Sequence, residues 1–283
     1  MVKVITAENA GFCFGVKRAV ETVYEEAKKQ QPVYTFGPIS HNDVVVRDLE
    51  KKGVRVIHSV EEAAKLTSGT VIIRSHGVSK ETLEALKANT AIHVVDATCP
   101  FVQRIHDVIA EQSAAGRKIV IIGNKGHAEV EGHIGWSSRG AEVIETEEEA
   151  RAFTCAPEEP LCVVAQTTFN AKKFEELVAI LNERGYNKYV MNTICNATSI
   201  RQEEARRIAS AVDIMIVIGG KNSSNSAKLF DICSKECDNT FFIETREDLE
   251  LHLTGSETVG ITAGASTPNI IIEEVQSYVR RNF

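Results

Sequence analysis

The sequence predicts an α/β protein of three similar units with mostly parallel sheets, in a pseudo-threefold arrangement. Two observations support this prediction. Short β-branched runs recur along the chain, each followed by a polar loop and a segment of helical period. Three similar cysteine-centred segments also occur, at intervals of 86 and 96 residues. We therefore expect three α/β domains, 1–97, 98–193 and 194–283, each with one of these cysteines.

The clearest strand candidates are apolar and rich in β-branched residues, as is typical of strands buried on both faces of a parallel sheet. They are Val71–Ile73, His93–Val95, Ile119–Ile122, Leu161–Val164, Asp213–Ile218 and Val259–Ile261. No Pro- or Ser-rich linker separates the predicted units, so we expect them to pack closely.

Composition narrows the class of protein. The 283 residues include 32 basic and 39 acidic side chains, and the net charge of -7 argues against a nucleic-acid partner. The N-terminal residues do not form a signal sequence, and the longest apolar runs are too short to span a bilayer. Seven cysteines at long spacings fit reduced thiols or metal ligands better than disulfides. We expect a cytoplasmic protein without a membrane partner.

The three repeated cysteines are Cys13, Cys99 and Cys195, and each is predicted where a strand ends and a helix begins. A single cysteine is usually a small buried hydrophobic residue. Three at equivalent positions indicate ligands, because a helix N-terminus favours the thiolate that iron or zinc requires. The other four cysteines, at positions 155, 162, 233 and 237, lack this context and are expected to be structural.

Three thiolates fit either zinc or an iron–sulfur cluster. A cubane cluster held entirely by protein takes four cysteines, so three leave one iron open. An open iron can bind substrate as a Lewis acid while the cluster carries electrons. The sequence therefore favours reductive chemistry on a small substrate.

The loops after the apolar runs contain histidine, hydroxyl and amide side chains. Ligands of open α/β sheets bind beyond the carboxyl ends of the strands, where these loops lie. Such donors suit a phosphate, although Ser, Thr and Asn are also common helix N-caps. Capping does not explain three histidines at equivalent positions, which are His41, His76 and His127.

Other motifs give weaker hypotheses. Lys221-Asn-Ser-Ser is similar to the end of a P-loop, but Met215 occupies the position of the required first glycine. His127-Ala-Glu129 matches half of a zinc deaminase motif whose P-C-x-x-C partner is absent. A zinc hydrolase using His127, His133 and a cysteine remains an alternative. A pure electron-transfer protein is another, but it would not need the polar loops.

Taken in order, the motifs resemble those of the 4-hydroxy-3-methylbut-2-enyl diphosphate reductase (LytB) family through nearly the whole chain. They are Gly11-Phe-Cys13-x-Gly-Val, His41-Asn42, Ser75-His76-Gly77-Val78, Asp96-Ala-Thr98-Cys99-Pro100, Gly126-His127-x-Glu129-Val-Glu-Gly132, Gln166-Thr167-Thr168, Thr193-Ile-Cys195-x-Ala-Thr198, Lys221-Asn-Ser-Ser-Asn225 and Ala263-Gly-Ala-Ser266. Arg104 departs from the lysine expected in many relatives.

The resemblance implies three α/β domains around a central 4Fe–4S cluster with one open iron, held by Cys13, Cys99 and Cys195. It implies a diphosphate substrate whose hydroxyl lies near Thr168 and Glu129, with Glu129 as the proton donor and His127 nearby. The implied diphosphate ligands are His41, His76, Ser223, Ser224, Asn225 and Ser266. The implied reaction is a two-electron reductive dehydroxylation to isopentenyl and dimethylallyl diphosphate, the last step of the non-mevalonate isoprenoid pathway. A small ferredoxin or flavodoxin is the implied electron donor.

Overall fold

The structure, a computed structural model, describes residues 2–156, 158–251 and 255–282. The strands in these ranges are Lys3–Thr6 (β1), Val33–Phe36 (β2), Arg55–Ile57 (β3), Thr70–Ile73 (β4), His93–Asp96 (β5), Lys118–Ile122 (β6), Ala141–Ile144 (β7), Leu161–Ala165 (β8), Lys188–Val190 (β9), Ile214–Ile218 (β10), Thr240–Ile243 (β11) and Thr258–Ala263 (β12). The helices are Phe14–Ala27 (α1), Asp43–Lys51 (α2), Val60–Ala64 (α3), Lys80–Ala88 (α4), Pro100–Ala114 (α5), Ala128–Ile134 (α6), Glu147–Ala152 (α7), Ala171–Glu183 (α8), Asn196–Ala209 (α9), Ser224–Ser234 (α10) and Asn269–Asn282 (α11), with a short 3-10 helix at Arg246–Asp248. None of the helices in the described ranges has the length and apolar character needed to cross a membrane.

The strands form three parallel four-stranded sheets, with the orders β3-β2-β4-β5, β7-β6-β8-β9 and β11-β10-β12-β1. The predicted fold class, three α/β units with parallel sheets, is confirmed. Each of the first two sheets is built from four strands that are consecutive in the sequence, and the second of these four lies at the edge of the sheet. The third sheet has the same order but takes its last strand, β1, from the N-terminus.

The pairing of β1 with β12 bears on the domain division. The sequence-based division assigns residues 1–97 to one domain, but the first strand in that range belongs to the sheet of the C-terminal segment. The boundaries at 97/98 and 193/194, like the pseudo-threefold arrangement, stay predictions.

The central strands account for the success of the strand prediction. All residues of β4, β8 and β10 are buried, because helices cover both faces of each sheet. Such strands appear in a sequence as continuous apolar runs. Edge strands such as β3 and β9 contain exposed residues and are only three residues long, so they give a weaker signal.

The chain divides into two compact units. Unit one comprises residues 1–20, 40–52 and 196–283, and unit two comprises residues 21–39 and 53–195. In unit one, side chains of β10 alternate between two apolar cores: Ile216 packs with residues of α11, and Val217 packs with residues of α9 and α10. In unit two, β6 alternates in the same way between two cores. Each of these sheets therefore lies between two layers of helices, and the loops that follow its strands lead into helix N-termini.

Candidate functional site

Cys13, Cys99 and Cys195 occupy equivalent positions in the three sheets. Each follows the fourth strand in its sheet order and directly precedes a helix, α1, α5 or α9. Each cysteine amide donates a hydrogen bond to the carbonyl oxygen two positions beyond the neighbouring strand. The N···O distances are 3.1 Å from Cys13 to Ala265, 3.0 Å from Cys99 to Ser75 and 2.9 Å from Cys195 to Thr167. The predicted junction of strand end and helix start is therefore present at all three thiols.

Side-chain hydrogen bonds hold the loop before each of these cysteines in place. Asp96 accepts hydrogen bonds from the amide and hydroxyl of Thr98, the residue before Cys99. The hydroxyl of Thr193, two residues before Cys195, accepts from the Ala165 amide and donates to its carbonyl oxygen, at 2.7 and 2.6 Å. Loops held at several points can present a thiol in a fixed position, which a cluster ligand requires.

In unit one, two side chains of α9 hold the loop before Cys13. Glu204 accepts hydrogen bonds from the Glu8 amide at 2.8 Å and from the Asn9 amide and side chain at 3.0 Å each. Arg201 donates to the carbonyl oxygens of Asn9 and Gly11, at 2.8 and 2.9 Å. Sequence reasoning missed both residues, because nothing in the local pattern around α9 indicates a contact some 190 positions away.

The other four cysteines have different surroundings. Burial raises the pKa of the Cys162 thiol to about 11 and that of Cys233 to about 12. Cys237 lies in the core with Cys233 and its sulfur is 3.6 Å from the Asp213 carbonyl oxygen. Burial also raises the pKa of Cys155. Thiols that resist ionisation are poor metal ligands, so these environments fit structural roles. Cys13, Cys99 and Cys195 are all partly exposed; of the other four cysteines only Cys155 is, and its pKa is raised.

Unit one carries a polar cradle at the N-terminus of α10. Ser223 caps this helix: its Oγ accepts from the Ser226 amide at 3.3 Å and from the Ser226 hydroxyl at 2.9 Å, and Ser266 Oγ lies 3.5 Å away. Ser224 is the first residue of the helix. Both side-chain polar atoms of Asn225 are buried and have no hydrogen-bond partner among the described residues. Such atoms in a native protein call for a ligand or water.

Glycines make room in this cradle. A Cβ at Gly220 would overlap the carbonyl oxygen of His41, and a Cβ at Gly219 or Gly264 would overlap the Ser226 side chain. His41 precedes Asn42, whose Oδ1 caps α2 by accepting from the amides of Val44 and Val45. The Nδ2 of Asn42 is buried without a partner in the described part of the chain. The cradle thus brings together the His41 carbonyl, Ser223, Asn225 and Ser266, and the side-chain amides of Asn42 and Asn225, unpartnered within the described ranges, are available as donors to an anion.

Unit two carries the carboxylate of Glu129, which is 1% exposed. Its Oε1 accepts from the Thr167 amide at 2.6 Å, and its Oε2 accepts from the Thr167 hydroxyl at 2.7 Å. His133 Nε2 lies 3.3 Å from Oε1. Burial by itself raises the pKa of Glu129, but the hydrogen bond and charge of His133, the charge of His127 and the Thr167 amide together lower it below its ordinary value. Glu129 is therefore a carboxylate in this environment.

Unit two also carries His76, His127 and Thr168 in the loops that follow its strands β4, β6 and β8. His127 is the N-cap of α6, and its Nδ1 accepts from the Glu129 amide at 3.2 Å. The His127 and His76 rings meet edge to face, with centroids 5.5 Å apart. Thr168 accepts a hydrogen bond from Gln166 at 3.0 Å. The resemblance implies that Thr168 lies near the substrate hydroxyl, and this stays a prediction. The contacts with Glu129 itself are made by the preceding residue, Thr167.

The sequence is similar throughout to proteins of one family. It matches the family described as LytB protein over residues 4–280. A relative from Caldanaerobacter subterraneus subsp. tengcongensis, named 4-hydroxy-3-methylbut-2-enyl diphosphate reductase, is 46% identical over 278 residues, which are 97% of this chain and 95% of the relative. A relative of the same name from Thermoanaerobacter sp. is 45% identical over 283 residues, covering 99% of this chain and 97% of its own length.

Two solved structures are also similar. One is described as (E)-4-hydroxy-3-methyl-but-2-enyl diphosphate reductase, the terminal enzyme of the non-mevalonate pathway, with 43% identity, a TM-score of 0.71 and 99% of both chains covered. The other, the E-1-hydroxy-2-methyl-but-2-enyl-4-diphosphate reductase from Plasmodium falciparum, has 28% identity, a TM-score of 0.90, and covers 99% of this chain and 87% of its own. Since both sequence and fold agree over almost the full length, the chain belongs to the LytB protein family.

Proposed function

We propose that the protein is an iron–sulfur reductase that converts 4-hydroxy-3-methylbut-2-enyl diphosphate to isopentenyl and dimethylallyl diphosphate. The reaction is a two-electron reductive dehydroxylation, and it is the last step of the non-mevalonate isoprenoid pathway. The observation that carries the proposal is the double role of Thr167. Its amide and hydroxyl bind Glu129, while its carbonyl oxygen accepts from the Cys195 amide. Thr167 thus contacts both the proposed proton donor, Glu129, and one proposed cluster ligand, Cys195.

Cys13, Cys99 and Cys195 would hold a single 4Fe–4S cluster with one open iron. The donor set fits this group, because three partly exposed thiols stand at equivalent helix N-termini on pinned loops, while other thiols in the chain are buried or have raised pKa values. When bound, the cluster supplies the two electrons and a Lewis-acidic iron for the substrate hydroxyl. A ferredoxin or flavodoxin would be the electron donor.

The diphosphate would be bound by His41, His76, Ser223, Ser224, Asn225 and Ser266. Support comes from the cradle of unit one, where hydroxyls, a helix N-terminus and the partnerless amide of Asn225 provide hydrogen-bond donors. Bonds from such donors to an anion are stronger than bonds between neutral groups. The phosphate charge would also favour protonation of nearby histidines.

Glu129 would deliver a proton to the hydroxyl oxygen as the C–O bond breaks, because hydroxide is a poor leaving group and water is a good one. Thr167 holds both carboxylate oxygens and so fixes the direction of Glu129. Thr168 and His127 would orient the substrate next to it.

The first test is anaerobic iron and sulfide analysis, with electron paramagnetic resonance before and after addition of the hydroxylated diphosphate. We expect about four irons per chain and a reduced-cluster signal that changes with substrate. Cys99→Ser should lose the cluster, and the matched variant Cys162→Ser should retain it. Zinc without sulfide would instead favour a hydrolase, and unchanged iron in Cys99→Ser would refute the ligand assignment.

The second test is Glu129→Gln. This variant should bind the substrate with little change, since the amide has the size of the carboxyl group, yet its turnover should fall by about 100-fold or more. Glu131→Gln is the matched control, because Glu131 lies on the same helix and is exposed. Turnover of Glu129→Gln close to that of the control would rule out the proton-donor role.

A further inference from the structure

His133 lies directly behind Glu129, on the same face of α6 and one turn further along. Its Nε2 is 3.3 Å from Glu129 Oε1, and both side chains are buried, the histidine with no exposed surface. The proposed reaction has no role yet for this histidine. The reaction does require a source of protons for Glu129, because this side chain is ionised in its present surroundings and must receive a proton before it can give one.

Hydrogen-bond chemistry fixes where the imidazole carries its proton. A carboxylate only accepts, so the proton of His133 lies on Nε2. The opposite nitrogen, Nδ1, is buried and has no hydrogen-bond partner among the described residues. A lone pair is therefore available there, and a second proton at Nδ1 would turn His133 into a cation beside the Glu129 anion.

Aromatic rings keep His133 in place. His106 of α5 meets the His133 ring edge to face, with centroids 5.1 Å apart. Trp136 stacks on His106 at 4.8 Å and donates its indole N–H to the Val78 carbonyl oxygen. Burial, and next the charge of His133, lower the pKa of His106 to about 3, so this ring is neutral. Within the described ranges, the titratable groups facing the pair are His106 from α5 and His127 from the start of α6, whose charge lowers the pKa of Glu129.

An isolated negative charge in a dry site is unfavourable, and uptake of one proton by the pair removes it. Two strongly coupled groups also titrate as a unit and not one by one. Glu129 and His133 meet both conditions, because they are in hydrogen-bond contact and excluded from solvent.

We propose that His133 is the proton store of Glu129. This inference rests on the proposed reductase function and deepens it. The reaction consumes two electrons and two protons, and it replaces a C–OH bond by a C–H bond with release of water. The pair takes up one proton from solvent, which gives an imidazolium next to the carboxylate. As the C–O bond breaks, the Nε2 proton passes to the Glu129 carboxylate, and Glu129 gives this same proton to the leaving oxygen and becomes a carboxylate again. His133 is left neutral, and the second proton, which goes to carbon, does not involve the pair.

The substitution that separates storage from hydrogen bonding is His133→Gln. The glutamine amide can donate to Glu129 as Nε2 does, but it cannot take up a proton. We expect turnover at saturating substrate to fall by about 10- to 100-fold with KM nearly unchanged, and the alkaline fall of the pH–rate profile to move to lower pH. His58→Gln, an exposed histidine of unit two, is the matched control and should behave like the unsubstituted protein. A pH–rate profile of His133→Gln that coincides with that of the control would overturn the proposal and leave His133 an orienting residue.

A second measurement needs no turnover. In the holoenzyme labelled with 15N-histidine, the resonance that is missing in His133→Gln reports the protonation of His133. At the pH of maximal turnover we expect this resonance to be that of imidazolium in the unsubstituted holoenzyme and that of neutral imidazole in Glu129→Gln. If His133→Gln does not fold, the Glu129→Gln comparison still identifies the signal. A ring that remains neutral throughout overturns the proton store. Failure of the unsubstituted holoenzyme to form product would instead overturn the reductase function, whatever the ring does.

Discussion

Replacing Glu204 by Gln tests how the loop before Cys13 is held. The Glu204 carboxylate is buried at 9% exposure and accepts three hydrogen bonds, from the Glu8 amide, the Asn9 amide and the Asn9 side chain. Glutamine has one accepting oxygen and one donating nitrogen. If its oxygen takes the place of Oε2, both Asn9 bonds remain and the Glu8 amide faces an N–H group.

The loss can be estimated from these contacts. A hydrogen bond to a charged group contributes about 1.5 to 3 kcal/mol, and the two remaining bonds lose their charge assistance. Together the loop should be destabilised by about 2 to 4 kcal/mol. Since 1.4 kcal/mol corresponds to a factor of ten, local opening should become about 30- to 700-fold more frequent.

Amide hydrogen exchange of the peptide 7–13, followed by mass spectrometry, measures this opening directly. The matched control is Glu203→Gln on the same helix. Glu203 is exposed, and its ion pair with Arg206 contributes at most about 1 kcal/mol. We expect fast exchange of the Glu8 and Asn9 amides in Glu204→Gln and nearly unchanged exchange in the control. Equal exchange in the two variants would show that the carboxylate does not hold the loop.

Two further predictions concern the same contacts and those of Thr167. Burial is the largest single influence on the pKa of Glu204 and raises it, but the hydrogen bonds from Asn9 and Glu8 bring the pKa below its ordinary value. The carboxylate therefore stabilises the loop at any pH above the ordinary glutamate pKa. This contribution is lost as the pH falls through the lowered pKa. The ratio of exchange rates between Glu204→Gln and the unsubstituted protein, taken at equal pH, should accordingly stay constant from pH 7 down to the ordinary glutamate pKa of about 4.3 and shrink as the pH falls further. A ratio that stays constant below that pH would contradict the assignment. Thr167→Val removes the hydroxyl donor 2.7 Å from Glu129 Oε2 at nearly constant volume, so the pKa of Glu129 should rise and turnover should fall by about tenfold or more, whereas the exposed control Thr154→Val should be unaffected in steady-state kinetics.

Much of the fold could be predicted because the information is local. Runs rich in β-branched and apolar residues mark β4, β6, β8, β10 and β12, since strands covered on both faces carry mostly apolar side chains. The three cysteines could also be found, because each lies in a short segment at the start of a helix. The pairing of β1 with β12 could not, since it joins residues some 255 positions apart and no local pattern specifies the partner of an edge strand.

The functional residues divide in the same way. The sequence alone determined which residue types are available: three cysteines at helix starts, histidines and hydroxyls in the loops after strands, and Glu129 in a recognisable motif. Only the tertiary structure decided that Thr167 is the residue that binds Glu129, that His133 lies behind that carboxylate and that Glu204 holds the loop before Cys13. The physical reason is that hydrogen bonds act over about 3 Å, and the partners in two of these three contacts lie 38 and 196 positions apart along the chain.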